Sequence, residues 1–245
     1  MTESELEARI RALGRPEAVF APLPALMANI REKAAWDAAN PVLRDEYFRL
    51  VGQLVELRDA AKAAADEVER ANRSMRRLRS SGVGDRSLEA ADEPEETPAL
   101  GAVRRFLAND KTWLVLLGAK GCGKTVAATW AVRERVLDGH SAAFRRVSEV
   151  GKLSAFEAGA EELARLAKVE LLVLDELGTE FASDFARAQF HELLDKRHEA
   201  KLKTILTSNL PAPEVKQRLG ERIADRIEGS GGVVQIGGGS LRRVS

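Results

Sequence analysis

The chain has 245 residues, 31% charged and 44% hydrophobic, with 38 basic side chains balanced by 38 acidic ones, so any charged partner must be met by a local patch. Its single cysteine, Cys122, excludes an intrachain disulfide and a four-cysteine zinc site. No apolar run approaches the roughly 20 residues that span a bilayer, and the charged start from Met1 to Arg11 lacks the apolar core of a signal peptide, so a cytoplasmic protein without membrane contact is expected.

Residues 1–79 read as helical. From Leu43 onward, Leu43, Tyr47, Leu50, Leu54, Leu57, Ala61, Ala64, Val68, Ala71, Met75 and Leu78 alternate in steps of four and three. That is a repeat of about 3.5 residues, the pattern of a left-handed coiled-coil seam. A helix over 43–79 would be roughly 55 Å long, with Asn40-Pro41 as its turn and start. Its partner is left open between the earlier segment Leu26 to Ala39 (Met27, Ile30, Ala34), another subunit and another protein. Arg70, Arg73, Arg76, Arg77 and Arg79 crowd its last turns without an acid among them. They read first as cations at a negative helix end and second as a phosphate or partner contact.

Residues 80–98 hold six acids against one arginine, with glycines, serines and prolines. This composition predicts an acidic flexible linker and places the domain boundary here. From residue 99 to 245 helices and strands alternate. Strands are predicted at Trp113–Leu117, Ala142–Val147, Leu171–Leu174, Thr204–Thr207 and Val233–Ile236. Helices are predicted at Lys124–Leu137, around Ser154–Ala167, at Ser183–Ala200, Pro213–Leu219 and Glu221–Glu228. The uninterrupted apolar run of Leu171–Leu174 suits a strand covered on both faces, so the fold class is α/β with a parallel, doubly wound sheet.

Four segments carry chemistry. Gly118-Ala119-Lys120-Gly121-Cys122-Gly123-Lys124-Thr125 satisfies G-x-x-x-x-G-K-[ST] between a predicted strand and a predicted helix. Glycines let backbone N–H groups cradle phosphate oxygens, Lys124 is placed to reach the β- and γ-phosphates, and the Thr125 hydroxyl to ligate magnesium. Cys122 is read as a small residue that fits this loop rather than a redox centre. The apolar run before Asp175-Glu176 delivers both acids to a strand's C-terminal edge, Asp175 to hold magnesium and Glu176 to polarise an attacking water. Asn209, after Thr204–Thr207, would sit beside Glu176 if that strand lies between the first and third, and could orient the water or sense the γ-phosphate; alone it would read as an Asx-turn before Pro211. Arg222 and Arg226, four apart, share a helix face beside Asp225, a pattern that serves a salt-bridged surface or a function.

Together the segments GAKGCGKT, LLVLDELG, TILTSNLP, LGERIADRI and the terminal IGGGSLR resemble the AAA+ ATPases of the DnaC/DnaI helicase-loader group and the related IstB transposition ATPases. The resemblance spans about residues 100–245. It implies a P-loop NTPase with an AAA+ core that binds ATP with Mg2+ and hydrolyses it, and that self-associates through the ATP site. By the same match Arg226 would be an arginine finger directed into the neighbouring subunit, with Arg222 its companion. The terminal S-x-R implies a sensor-2 arginine at Arg242, or at Arg243. With the short tail, the match implies an AAA+ core expected to lack the C-terminal lid domain, a truncation that the loaders share. The implied partners are a replicative helicase, held by the N-terminal helices, and single-stranded DNA, met by the assembled AAA+ domain; eight Lys/Arg against four Asp/Glu in residues 201–245 permit DNA contact. In the transposition alternative the partner is a transposase. A third reading is a nucleotide-gated coiled-coil adaptor without significant turnover. The zinc-binding cysteines that some relatives carry N-terminally are missing from this chain.

Overall fold

The computed structural model describes residues 1–14, 30–153, 157–178 and 183–237, which divide into two compact units at Asn72/Arg73. In the first, α1 (Glu3–Ala12) is started by Thr2, whose hydroxyl accepts from Glu5 N while its own N–H donates to the Glu5 carboxylate at 2.7 Å. Helix α2 spans Ile30–Ala39, and α3 runs from Pro41 to Ser80, about 60 Å. The predicted long helix is therefore present, but only part of its seam is covered. Tyr47, Leu50 and Leu54 pack against Leu6 and Ile10 of α1. Arg58 pairs with Glu3 and Glu7, and Arg9 with Glu46, so the two helices run antiparallel. The covered part of the seam thus meets α1, which was not among the partners left open; its large apolar residues Leu6 and Ile10, one turn apart, are too few to announce a seam. Of the candidate segment Leu26 to Ala39, residues 26–29 lie outside the described ones.

The second unit holds the sheet. Helices α4 (Asp85–Asp92) and α5 (Pro98–Leu107) precede β1 (Trp113–Leu117) and α6 (Lys124–Leu137). Then follow β2 (Ala142–Arg146), α7 (Val147–Leu153), α8 (Glu157–Leu166) and β3 (Leu171–Leu177). The unit closes with α9 (Asp184–Glu199), β4 (Lys203–Ser208), α10 (Ala212–Ser230) and β5 (Val233–Gln235). All four strand pairings are parallel, in the order β2-β3-β4-β1-β5. Alternate residues of one strand feed two apolar layers. Leu114 and Leu116 join the layer under α5 and α6, while Trp113, Val115 and Leu117 join the layer under α7, α9 and α10. Both faces are covered, which is why β1 and β3 read as continuous apolar runs. In α10, Gly220 at φ 75° breaks the helix between the two segments predicted separately.

Residues 80–98 depart from the flexible linker read from their composition. Within them, α4 packs on α6: Val83 is buried in the first apolar layer, Leu88 lies against it, Ala91 is buried as well, and Asp92 pairs with Arg133. A few apolar positions suffice to dock this acid-rich segment. The end of α3 belongs to this unit as well. Leu78 is buried, Arg77 donates to Gly139 O, and Ser81 O accepts from Phe144 N and from Arg145, at 3.1, 2.8 and 2.8 Å.

Among the polar groups, Arg197 of α9 is fully buried and donates to the carbonyls of Leu166, Val169 and Lys203 and to the Thr204 hydroxyl. Its burial without a carboxylate pulls its pKa down to about 9. It ties α8, α9 and the start of β4 together from inside. None of the described helices is long and apolar enough to cross a membrane.

Candidate functional site

Strand β1 ends at Leu117 and releases the chain into residues 118–123 before α6 begins at Lys124. Two glycines show why the loop needs its composition. Gly123, before the first helical residue, is left-handed at φ 87°. At Gly118 an added Cβ would stand 2.7 Å from the Ile236 carbonyl. No side chain caps α6, so its first N–H groups stay available to an anion.

The Lys124 ammonium is drawn in beneath this loop, 6% exposed. It donates to Gly118 O at 2.8 Å, Ala119 O at 2.9 Å and Asn209 Oδ1 at 3.0 Å. The Cys122 sulfur lies 3.5 Å from the same nitrogen and is buried. Its place is that of a small side chain packed under the loop. Ala119 and Lys120 are exposed, and Gly121 half-buried, on the outer side of the turn.

Asp175, 3% exposed, lies near the end of β3. Thr125 Oγ1 donates to its Oδ1 at 3.0 Å and Thr207 Oγ1 at 2.5 Å. Burial raises the Asp175 pKa above the usual 3.8, the two hydroxyls oppose the rise, the charge of Glu176 adds to it and Arg146 counters it. A carboxylate kept out of water with only neutral hydroxyl donors at contact is electrostatically suited to a cation. The register of β3 against β4 shifts between Leu174 and Leu177, and Glu176 within that irregularity adopts φ 61°. Its N–H donates to Thr207 Oγ1 at 3.1 Å. This local reversal turns Glu176 out of the sheet, where its carboxylate stands 3.9 Å from Arg146 Nε.

A cavity of about 530 Å³ joins these groups, lined by Lys120, Gly121, Gly123, Lys124, Thr125, Glu176, Thr207 and Asn209. That size suits a nucleotide. Ala90, Glu93, Pro94, Glu95, Thr97 and Leu100 line the same cavity. Strand β4 does lie between β1 and β3, and Asn209 lines the cavity together with Glu176. The donor set fits ATP with magnesium: a glycine cradle, an ammonium, and a hydroxyl and carboxylate as hard oxygen ligands. Among the described residues no cluster of three metal-ligating side chains exists. Magnesium at phosphate sites needs none, because phosphate and water oxygens complete its shell.

Arg222 and Arg226 do not line the cavity. Both lie in α10 beyond the Gly220 break, and both donate to Asp195 of α9. Arg242 and Arg243 lie outside the described residues. Sequence reasoning missed Thr207 and Arg146, along with the wall from Ala90 to Thr97. Thr207 sits inside an apolar strand, and only its place two residues before Asn209 could have drawn attention to it.

The family model described as IstB-like ATP binding protein matches residues 99–245. The replicative helicase loader DnaC of Escherichia coli strain K12 is 30% identical over 121 residues, 46% of this chain and 49% of that protein. The putative insertion sequence ATP-binding protein y4pL of Sinorhizobium fredii is 30% identical over 139 residues, 53% of this chain and 56% of that protein. The chain thus spans about half the length of the curated relatives it matches. Among solved structures, the DnaC helicase loader superposes with a TM-score of 0.54 at 22% identity, covering 63% of this chain and 100% of that one. DnaI superposes with a TM-score of 0.51 at 26% identity, covering 59% and 82%.

Proposed function

This chain is a member of the IstB-like ATP-binding protein family, within the DnaC/IstB group of AAA+ ATPases, and from that premise we propose that it is an ATP-dependent loader of a replicative helicase. One observation supports the reading above the others. The groups that would bind and cleave ATP converge at the ends of β1, β3 and β4, whereas the arginine pair that would complete them faces elsewhere. Such a site works only when a second subunit supplies the missing charge.

Lys124 holds the β- and γ-phosphates by exchanging its contacts with Gly118 O and Ala119 O for phosphate oxygens. Thr125 and Asp175 would hold magnesium, which would supply neutralisation of phosphate charge. Glu176, turned out of the sheet and set against Arg146, orients a water molecule in line with the γ-phosphorus and draws its proton. Asn209, linked to Lys124, reports whether the γ-phosphate is present. Arg226 of the adjacent subunit, with Arg222 beside it, stabilises the charge that develops as the bond from the γ-phosphorus to the ADP leaving group breaks. A trans-acting arginine is typically worth about 10³–10⁵ in rate, so an isolated subunit hydrolyses ATP slowly. The N-terminal helices hold the hexameric helicase, and the assembled ATPase domains meet single-stranded DNA. The setting is cytoplasmic.

Steady-state hydrolysis measured against protein concentration, with and without single-stranded DNA, tests this reading. Turnover per subunit should rise with concentration and with DNA; a rate independent of both would sink it. A transposition helper is the second reading, favoured by the family match over 99–245 and by the insertion-sequence relative. Retention of a replicative helicase on the immobilised chain supports the first, retention of a transposase the second. A nucleotide-gated adaptor without turnover is the third, and it predicts that Glu176→Gln leaves ATP consumption as it was.

A further inference from the structure

Within α10, Gly220 redirects the chain, and the helical turns that follow present Arg222 and Arg226 on one face. Opposite them stands Asp195 of α9. Its Oδ2 accepts from Arg222 Nη2 and its Oδ1 from Arg226 Nη1. The acid is 18% exposed at its side chain, Arg226 27% and Arg222 66%, so the carboxylate lies behind the pair and the guanidinium groups in front.

From this geometry we propose that Asp195 is the positioning residue for the arginines that serve the neighbouring subunit's ATP site, an inference that rests on the trans-acting reading of Arg226. A guanidinium has five N–H donors, and the carboxylate engages one nitrogen of each arginine. The remaining donors stay available to phosphate oxygens. Two cations one helical turn apart repel each other. A shared anion behind them lets both stand together, and one net positive charge is left facing outward. Asp195 also removes in advance the rotamer freedom that each long side chain would otherwise lose on docking. A lone exposed ion pair would do none of this, because it would engage one arginine and leave the other to drift. The contact of α9 with α10 therefore sets where the finger points before the neighbour arrives.

The test uses the full chain with Asp195→Ala, Asp195→Glu, Arg226→Ala and Lys124→Ala subunits, alone and in equimolar mixtures. Asp195→Ala should lower kcat on the order of 10–100-fold, as expected for misplacement by about an ångström, while KM for ATP shifts less than about twofold. Asp195→Glu should recover most of the loss. A fluorescent ATP analogue should bind Asp195→Ala as it binds the wild type, which separates misplacement from misfolding; if the alanine variant does not bind it, Asp195→Asn takes its place.

Mixtures give the decisive readout. Lys124→Ala subunits carry an intact arginine pair and Asp195→Ala subunits an intact nucleotide site, so their mixture should hydrolyse faster than the sum of the two alone. The Arg226→Ala and Lys124→Ala mixture should gain in the same way. A gain in the second mixture without one in the first, or an Asp195→Ala kcat equal to wild type, overturns the positioning role. No gain in either mixture overturns the trans-acting reading itself, and the positioning role with it.

Discussion

The helical N-terminal unit and the ATPase unit place their apolar residues on opposite principles. In the first, Leu6, Ile10, Tyr47, Leu50 and Leu54 form the buried cluster, and the α3 seam from Ala61 to Ala71 faces solvent, with Val68 61% exposed. In the second, all five β1 residues are buried and the sheet is covered on both faces. The difference teaches where each unit keeps its specificity. The ATPase unit uses a continuous core to fix polar groups such as Asp175 and Lys124 to within hydrogen-bond tolerance. The helical unit leaves half of its patterned surface uncommitted, so its pattern describes an outward face as much as a core.

That contrast can be broken from either side. The largest effect is expected at Glu176. Glu176→Gln should lower turnover by about 10²–10⁴ while nucleotide binding and the melting of both units stay unchanged; single-turnover hydrolysis alongside equilibrium binding checks it, and wild-type turnover would remove Glu176 from the mechanism. Next is the small cluster of the helical unit. Leu54→Ala should destabilise that unit by about 2–5 kcal/mol and leave nucleotide affinity untouched. Hydrogen exchange resolved by segment reads this, and faster exchange in β1 or β3 would show that the units do not fold separately. A smaller loss is expected from Thr207→Val, which removes the donor to Asp175 and the acceptor of Glu176 N–H. Turnover should fall on the order of tenfold, and an unchanged rate would show that the β3 irregularity holds Glu176 unaided.

The mildest effect concerns pH. Burial raises the Asp175 pKa, so on acidification the carboxyl gains its proton above the usual 3.8. The protonated form gives up its charge for magnesium. Nucleotide affinity in magnesium should therefore weaken at higher pH than an ordinary aspartate would dictate, while affinity measured in chelator should not follow. Parallel titrations in magnesium and in chelator distinguish the two; curves of the same shape would place the titration elsewhere.

Much of the ATPase unit was legible in advance because its signals are local. A glycine loop between an apolar run and a helix, or acids at the end of an apolar run, can be read within ten residues. The position of Asn209 was legible only conditionally, on a strand order that the sequence does not state. Thr207 was hidden because a threonine suits a strand whether or not its hydroxyl is used. The helix at Asp85–Asp92 was hidden because its acids dominate composition while Val83 and Leu88, at the first apolar layer, and the buried Ala91 decide its packing. Asp195 was hidden for a different reason: its partners lie 27 and 31 residues away on another helix. Long-range charge pairing leaves no periodic trace.

The anchoring of Ser81 has a consequence for the fate of the sheet itself. Strand β2 is terminal in the strand order, and a terminal strand exposes N–H and C=O groups that can template addition of a foreign strand. Ser81 O takes the Phe144 N–H, and Arg145 reaches back to the same carbonyl, so the segment leaving α3 blocks this edge. The opposite edge, β5, has three residues and offers little to pair with. Loosening residues 80–83 would therefore show itself first as aggregation, with the nucleotide site still intact in whatever stays in solution.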